Sequence, residues 1–272
     1  MRIAIVGAGI MAESIIKGIL GKGLCGPDAL VASDPRAERR TFLEMQYGIR
    51  LHESNIEAVT GAGVVIMAVK PQNVPQVLKE LGSVLTADQA FISIAAGVPL
   101  STLEDGLGHH SIVRAMPNTP CLVGEGMIVW LPNSWVSPEQ IGQTREIFGA
   151  LGRQLQVSNE SYLNMATCIS GSGPAYIFLF MEALIDAGVQ IGLPRYMAEE
   201  LVTQTVLGSV RLTQDSERHP AALKNDVTSP GGTTAQALYH LEKGGLRSTV
   251  AEAVLACYHR TQSLGRAEGE PK

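Results

Sequence analysis

Residues 226–238 read DVTSPGGTTAQAL. Two adjacent glycines and four hydroxyl side chains stand here with one carboxylate, Asp226, and no His, Lys or Cys. Groups this mild make poor nucleophiles and bases, but they can bind an anion. Gly231 and Gly232 leave backbone N–H groups uncovered just ahead of the helical run AQALYHLEKG. A helix N-terminus adds the positive end of its dipole, giving a site scaled for a carboxylate. The same residues would also make an ordinary hydroxyl-capped helix start. The loop gains a chemical meaning only if a reactive partner lies elsewhere in the chain.

That partner is at the opposite end. The chain opens RIAIVGAGIMAESIIKG, in which Gly7-Ala8-Gly9-Ile10-Met11-Ala12 forms a G-x-G-x-x-A turn between an apolar strand and an amphipathic helix. Gly7 permits the tight turn, Gly9 offers no Cβ against a pyrophosphate, and small Ala12 lets helix and strand pack closely. The expected ligand is a dinucleotide. After the second strand, Asp34 stands where an acid would accept from a ribose 2′-hydroxyl, which suits NADH. Ser33, Arg36, Arg39 and Arg40 crowd the same turn and suit the 2′-phosphate of NADPH. Two further turns lie beyond strand ends, where such sheets hold ligands: Ala68-Val69-Lys70-Pro71 and Ser93-Ile94-Ala95-Ala96-Gly97. Lys70 suits cofactor contact better than proton transfer, and the Ala-Ala-Gly turn suits close backbone approach to a nicotinamide.

The elements that must position these groups alternate in the first half. Strand-like runs at 2–6, 29–33, 64–69, 90–95, 111–116 and 126–131 are separated for the most part by helical patterns. Continuous apolar strands between amphipathic helices imply a parallel sheet covered on both faces. A helix over 138–151 and a short strand over 153–157 close this part. After Glu160 the pattern is helical, over about 160–191, 195–215, 219–225, 233–243 and 247–266, with breaks at 192–194 and 219–220. The reading is an α/β Rossmann-type N-terminal domain, residues 1–158, and an all-α C-terminal domain, residues 159–272. SGSGPAY, residues 170–176, opens the long helix with Pro174 in its first turn. The final EGEPK has the character of a frayed tail.

Composition excludes several classes. A net charge of −5 argues against nucleic acid, which wants a basic surface. The apolar stretch 175–193 has membrane-spanning length but carries Glu182, Asp186 and Gln190 at intervals of four. An ionised group at the bilayer centre costs at least ~2.5 kcal/mol, so a core or subunit-interface helix is the better reading. Cys25, Cys121, Cys168 and Cys257 are scattered, with neither metal nor disulfide spacing. His109 and His110 are adjacent and do not converge on one ion. The start lacks the form of a signal peptide, and reduced thiols suit a cytoplasmic protein.

Taken in order, GAGIMA, AVKP, AAGV, RAMPNTP, SGSGPAY and DVTSPGGTTAQAL resemble the pyrroline-5-carboxylate reductase family over essentially the whole chain, the SPGGTT segment being the most specific. The resemblance implies reduction of 1-pyrroline-5-carboxylate to L-proline, the last step of proline biosynthesis, by hydride from NADPH or NADH. It implies that the helical domain dimerises, that dimers join in a larger ring such as a decamer, and that the active site lies between the cofactor domain and helices of the partner or the same subunit. Residue by residue, it places Ser33, Asn55, Ala68, Lys70 and Ala95 on the cofactor, beside Gly7, Ala8, Gly9, Ile10 and Met11 of the first turn and Pro71 and Ala96 of the later ones. Asp34, read above as a cofactor contact, departs from the family, since a neutral or basic residue after Ser33 would suit NADPH better. Gly231, Gly232, Thr233 and Thr234 fall on the substrate, with the Gly232, Thr233 and Thr234 N–H groups holding its carboxylate and the Thr234 hydroxyl bonding the ring nitrogen as the catalytic contact. Glu160 falls near the substrate as well. A related β-hydroxyacid dehydrogenase would need a catalytic lysine, yet none occurs between Lys79 and Lys224. A non-catalytic dinucleotide sensor would have no need of the double-glycine loop.

Overall fold

A computed structural model describes residues 1–264. Its strands are β1 (Ile3–Val6), β2 (Leu30–Ser33), β3 (Arg50–His52), β4 (Val64–Met67), β5 (Ala90–Ser93), β6 (Ile112–Met116), β7 (Gly126–Pro132) and β8 (Gly152–Gln156). They form one sheet in the order β3-β2-β1-β4-β5-β6-β7-β8. Helices α1 (Ile10–Gly21), α2 (Ala37–Tyr47), α3 (Asn55–Val59), α4 (Val74–Leu81), α5 (Leu100–Leu107) and α6 (Pro138–Gly149) connect most of them.

Residue parity explains the two-sided burial. Successive strand residues point to opposite faces. Ile3 and Ile5 join one buried cluster with Ile15, Ile19 and Phe148 from the helices. Ala4 and Val6 join the other, with Val77, Leu81 and Leu103. An apolar residue at every position of β1, β4 and β5 except Ser93 is the pattern of a sheet buried on both faces.

The sheet departs from the expected all-parallel arrangement at one seam. β6 and β7 pair antiparallel, with Arg114 opposite Leu131 and Ala115 opposite Trp130. The cause is the connection, a short 3₁₀ turn at Thr119–Val123 with no crossover helix. A parallel return needs a dozen or more residues, usually a helix. α6 supplies one for the next step, and β8 lies parallel to β7. The edge strand β3, unforeseen in the sequence, is three residues long with only Leu51 buried.

The chain divides into two compact units, Met1–Ser172 with Cys257–Lys272, and Gly173–Ala256. The division falls later than the change of sequence character at 158/159. Between the two lie α7 (Ser161–Ala166) and a π-helical turn (Thr167–Gly171). They belong with the sheet: Leu163 is buried with Val129 and Leu131, and the Asn118 side chain donates to the Ser170 carbonyl at 3.0 Å.

The second unit consists of α8 (Gly173–Gln190), α9 (Arg195–Ser216), α10 (Pro220–Asp226), α11 (Thr233–Lys243) and most of α12 (Leu246–Leu264). α8 and α9 approach closely where Gly188 meets Ala198, since a Cβ on Gly188 would lie 3.2 Å from that of Ala198. No residue of α8 is buried, which removes the core-helix reading for this chain and leaves the subunit-interface one. The continuous run Ser161–Gln190 contains an 18-residue stretch of mean hydropathy 1.4 and is long and apolar enough to cross a membrane by length and composition alone. The expected end of the last helix at 266 and the expected frayed tail lie outside the described residues.

Candidate active site

The Gly7 turn forms as its residue types require. Gly7 has φ +87°, and a Cβ there would sit 2.7 Å from Val69 Cγ1, so only glycine fits. Gly9 is the N-cap of α1 with no side-chain cap, and nothing lies within 4 Å of where its Cβ would be. Ala12 is fully buried behind it. Among the described residues no acceptor takes the N–H of Ile10, Met11 or Ala12, while Glu13 N–H already bonds the Gly9 carbonyl at 3.0 Å. Three donors and a dipole end therefore face open space, the arrangement that binds phosphate. Ile10 is largely exposed at this mouth.

At the end of β2 the geometry is more specific. Asp34 is buried, and both of its oxygens are engaged. Oδ1 accepts from Arg36 N–H at 3.0 Å and from Arg36 Nε at 2.9 Å. Oδ2 accepts from Arg36 Nη2 at 3.0 Å and from Ala8 N–H at 3.1 Å. Burial by itself would raise this carboxyl, but the Arg36 guanidinium, the Arg36 backbone N–H and the Ala8 N–H outweigh it and hold it below the ordinary range. Arg39 is turned inward to the Ala8 and Gly9 carbonyls and Glu13, and Arg40 to the Asp34 and Pro35 carbonyls and Glu53.

Ser33 is fully buried and donates to Asn55 Oδ1 at 2.7 Å; Asn55 donates in turn to Glu80 at 2.6 Å. This chain borders a cleft of about 430 Å³ lined by Gly7, Pro35, Glu53, Asn55, Val69 and Glu80 among others. The cleft lies beyond the C-terminal ends of β1, β2 and β4, where open α/β sheets hold nucleotides. Its wall from α4 was missed in the sequence, because Gln76, Val77 and Glu80 read as one more amphipathic helix. A larger hollow of about 780 Å³ lies at the opposite ends of the strands, around Gly63, Asp88 and Ser111. It contains none of the residues singled out for chemistry except His109 and His110. His109 is buried against the Gln89 carbonyl, and His110 rests on Trp135.

Lys70 and Pro71 are exposed after β4, beside half-buried Ala68. Ala95 is buried and Ala96 half-buried in the turn after β5, where Gly97 takes φ +75°. This turn leads into α5, and there Glu160 enters. Glu160 Oε1 accepts from the Leu100 N–H at 2.7 Å and from Arg114 Nη1 at 2.7 Å. Buried Arg114 also donates to Asn164 at 3.0 Å. Arg114, which the sequence reading placed in a strand without assigning it a role, is the cation that through Glu160 and Asn164 ties β6, α5 and α7 together.

The glycine loop belongs to the second unit. Gly231 has φ +70°, the left-handed region that favours glycine, and a Cβ on Gly232 would clash with the Ser229 hydroxyl and force that side chain aside. Gly232 N–H is not available to a ligand, contrary to expectation: it donates to the Ser229 carbonyl at 3.1 Å. The tight turn that uncovers the next amides consumes this one. The open donors are shifted by one residue, to Thr233, Thr234 and Ala235, since Gln236 N–H already bonds the Gly232 carbonyl at 3.2 Å. α11 has no side-chain cap, and neither threonine hydroxyl has a partner among the described residues. Asp226, the one carboxylate nearby, is paired with Arg218 at 2.6 Å, which holds it below the ordinary range.

Comparison with known proteins accounts for both ends. Residues 160–264 match the family model of pyrroline-5-carboxylate reductase dimerisation, and residues 2–97 match that of NADP oxidoreductase, coenzyme F420-dependent. The pyrroline-5-carboxylate reductase of Synechocystis is 42% identical over 98% of this chain and 99% of its own. The structure of the Coxiella burnetii pyrroline-5-carboxylate reductase superimposes with a TM-score of 0.90 at 37% identity, covering 98% of this chain and 99% of that one. The Plasmodium falciparum pyrroline carboxylate reductase, solved with NADP bound, also gives 0.90, at 34% identity and 98% of both chains. The chain belongs to the pyrroline-5-carboxylate reductase family.

Proposed function

We propose that this chain reduces 1-pyrroline-5-carboxylate to L-proline with NADPH, and that the uncapped N-terminus of α11 is the substrate anchor. The carrying observation is the three open N–H groups of Thr233, Thr234 and Ala235 beside two unpartnered hydroxyls. They fit a carboxylate, and the Thr234 hydroxyl is the group we assign to the ring nitrogen. A protonated imine is already a good hydride acceptor, so the protein's task is to bind and orient.

The first unit fits the cofactor on its own evidence. Gly9 leaves room for a pyrophosphate, the first amides of α1 are open to it, and the cleft beside Asn55 suits an adenosine. When bound, the dinucleotide supplies the hydride. Ala8 and Ser33 contribute as buried support, since the Ala8 N–H is committed to Asp34, its carbonyl to Arg39 and the Ser33 hydroxyl to Asn55. Lys70 stands exposed for a phosphate or ribose, and the Ala95-Ala96 turn for the nicotinamide. Glu160 takes a positioning role: it holds the first turn of α5, and so the 95–97 turn, against Arg114. The proposed assembly is a cytoplasmic homodimer formed through the second unit, with dimers joined in a ring such as a decamer.

The test is the initial rate of NADPH oxidation with 1-pyrroline-5-carboxylate. Thr234→Ala should lower kcat/KM by roughly ten- to a thousandfold, and Thr234→Ser should keep most activity. An unchanged Thr234→Ala enzyme removes the threonine from the reaction. Tight NADPH binding without turnover by the wild type puts a dinucleotide sensor in place of the enzyme.

A further inference from the structure

We propose that Arg36 is the receptor for the cofactor's 2′-phosphate, and that Asp34, the residue best placed to read a 2′-hydroxyl, serves as the tether that aims it. The inference rests on the dinucleotide reading above and assigns its specificity. A carboxylate offers about four lone-pair sites, and four donors occupy those of Asp34: Ala8 N–H, Arg36 N–H, Arg36 Nε and Arg36 Nη2. No acceptor capacity is left for a ribose hydroxyl. To accept from one, Asp34 would have to release one of these four hydrogen bonds.

The three arginines of the turn sort by what they have left. The side chains of Arg39 and Arg40 are each 19% exposed, with their donors directed at carbonyls and at Glu13 or Glu53. The Arg36 side chain is 64% exposed. A guanidinium has five N–H groups, and Asp34 takes one from Nε and one from Nη2. Three remain without a partner among the described residues, spread along a planar edge that matches a phosphate's oxygens. The sequence builds this locally. Arg36 is the N-cap of α2, two residues beyond Asp34 in extended backbone, and its own N–H closes the turn on Asp34 Oδ1. The two-point fork fixes the guanidinium plane before any ligand arrives.

The experiment is calorimetric titration of the full chain with adenosine 2′,5′-bisphosphate, AMP, NADPH and NADH, for wild type, Arg36→Ala and Arg36→Lys. The wild type should bind NADPH and the bisphosphate more tightly than NADH and AMP. Arg36→Ala should lose roughly 10- to 100-fold for the two phosphorylated ligands. NADH and AMP should hold or tighten, because one acceptor site on each Asp34 oxygen is freed. Arg36→Lys should recover part of the loss through charge without the fork. Equal losses for both ligand pairs, no loss at all, or a wild type that prefers NADH overturns the assignment and leaves the dinucleotide reading standing. Failure of the wild type to bind any of the four overturns that reading too.

Discussion

The two units spend their apolar residues in opposite ways. Around the sheet the large side chains are sealed: Trp130, Phe91 and Phe148 are essentially inaccessible. In the helical unit Ala198 is the only residue classed as buried, while Phe178, Leu179, Leu201 and Val210 are all more than half exposed. A helix gains most of its stability in a protein by packing its apolar face, and exposed apolar surface on this scale marks an association site. The sheet unit is thus completed by its own chain, whereas the helical unit is completed by association, in keeping with the dimerisation family to which it belongs. Composition gave no warning of this, since apolar content reports what must be covered and not what covers it.

The largest effect should come from making the helical surface polar. Phe178→Asp combined with Leu201→Asp should convert the oligomer to a species of single-chain mass in sedimentation, with reductase activity lost and NADPH affinity retained. An unchanged mass would break the contrast between the units. Next is a truncation within the sealed half. Phe91→Ala should cost about 3–5 kcal/mol in urea unfolding, the usual result for deleting a buried ring; a cost near zero would mean the sheet is not self-sufficient. The smallest effect sharpens the comparison within the sheet unit, at Asp34. Its folded carboxyl lies below the ordinary value of 3.8, so its contribution to stability is complete above that value and is lost as pH falls through the folded one. The Tm gap between wild type and Asp34→Asn should therefore be steady near neutral pH and shrink below about pH 4. A gap that stays constant into acid would show that the pairing is not electrostatic.

Local chemistry was legible in the sequence and commitments over distance were not. The Gly7 turn and the glycine loop could be read because each depends on a few adjacent residues whose conformational needs are intrinsic. The six main strands were legible from their unbroken apolar runs. β3 was not, because Arg50 and His52 flank its one buried residue. The reversal at β7 was hidden because strand direction depends on the length of the connection, which the apolar pattern does not encode. Asp34 looked like a ribose ligand and Gly232 like an anion donor for one shared reason. Residue type shows what a group can bond, but a neighbour two or three residues away had already taken it: Arg36 in one case, Ser229 in the other. Glu160 was matched to the substrate without Arg114, whose pairing spans 46 residues.

The last described helix has a consequence for how the molecule is made. Cys257 opens the segment of α12 that returns to the sheet unit, where Thr261 is buried with its hydroxyl 3.8 Å from Cys168 Sγ, and the Cys257 thiol lies 3.4 Å from the Ser172 hydroxyl. The first unit to emerge from a ribosome is therefore the last to be finished. Synthesis of residues 173–256, at about 5–20 residues per second, leaves that seam open for roughly 4–17 s. During that interval a nearly complete nucleotide-binding sheet waits for the helix that closes it, beside nascent helices whose apolar faces are still uncovered. For this chain the hazardous stage of biogenesis falls while residues 173–256 are being made.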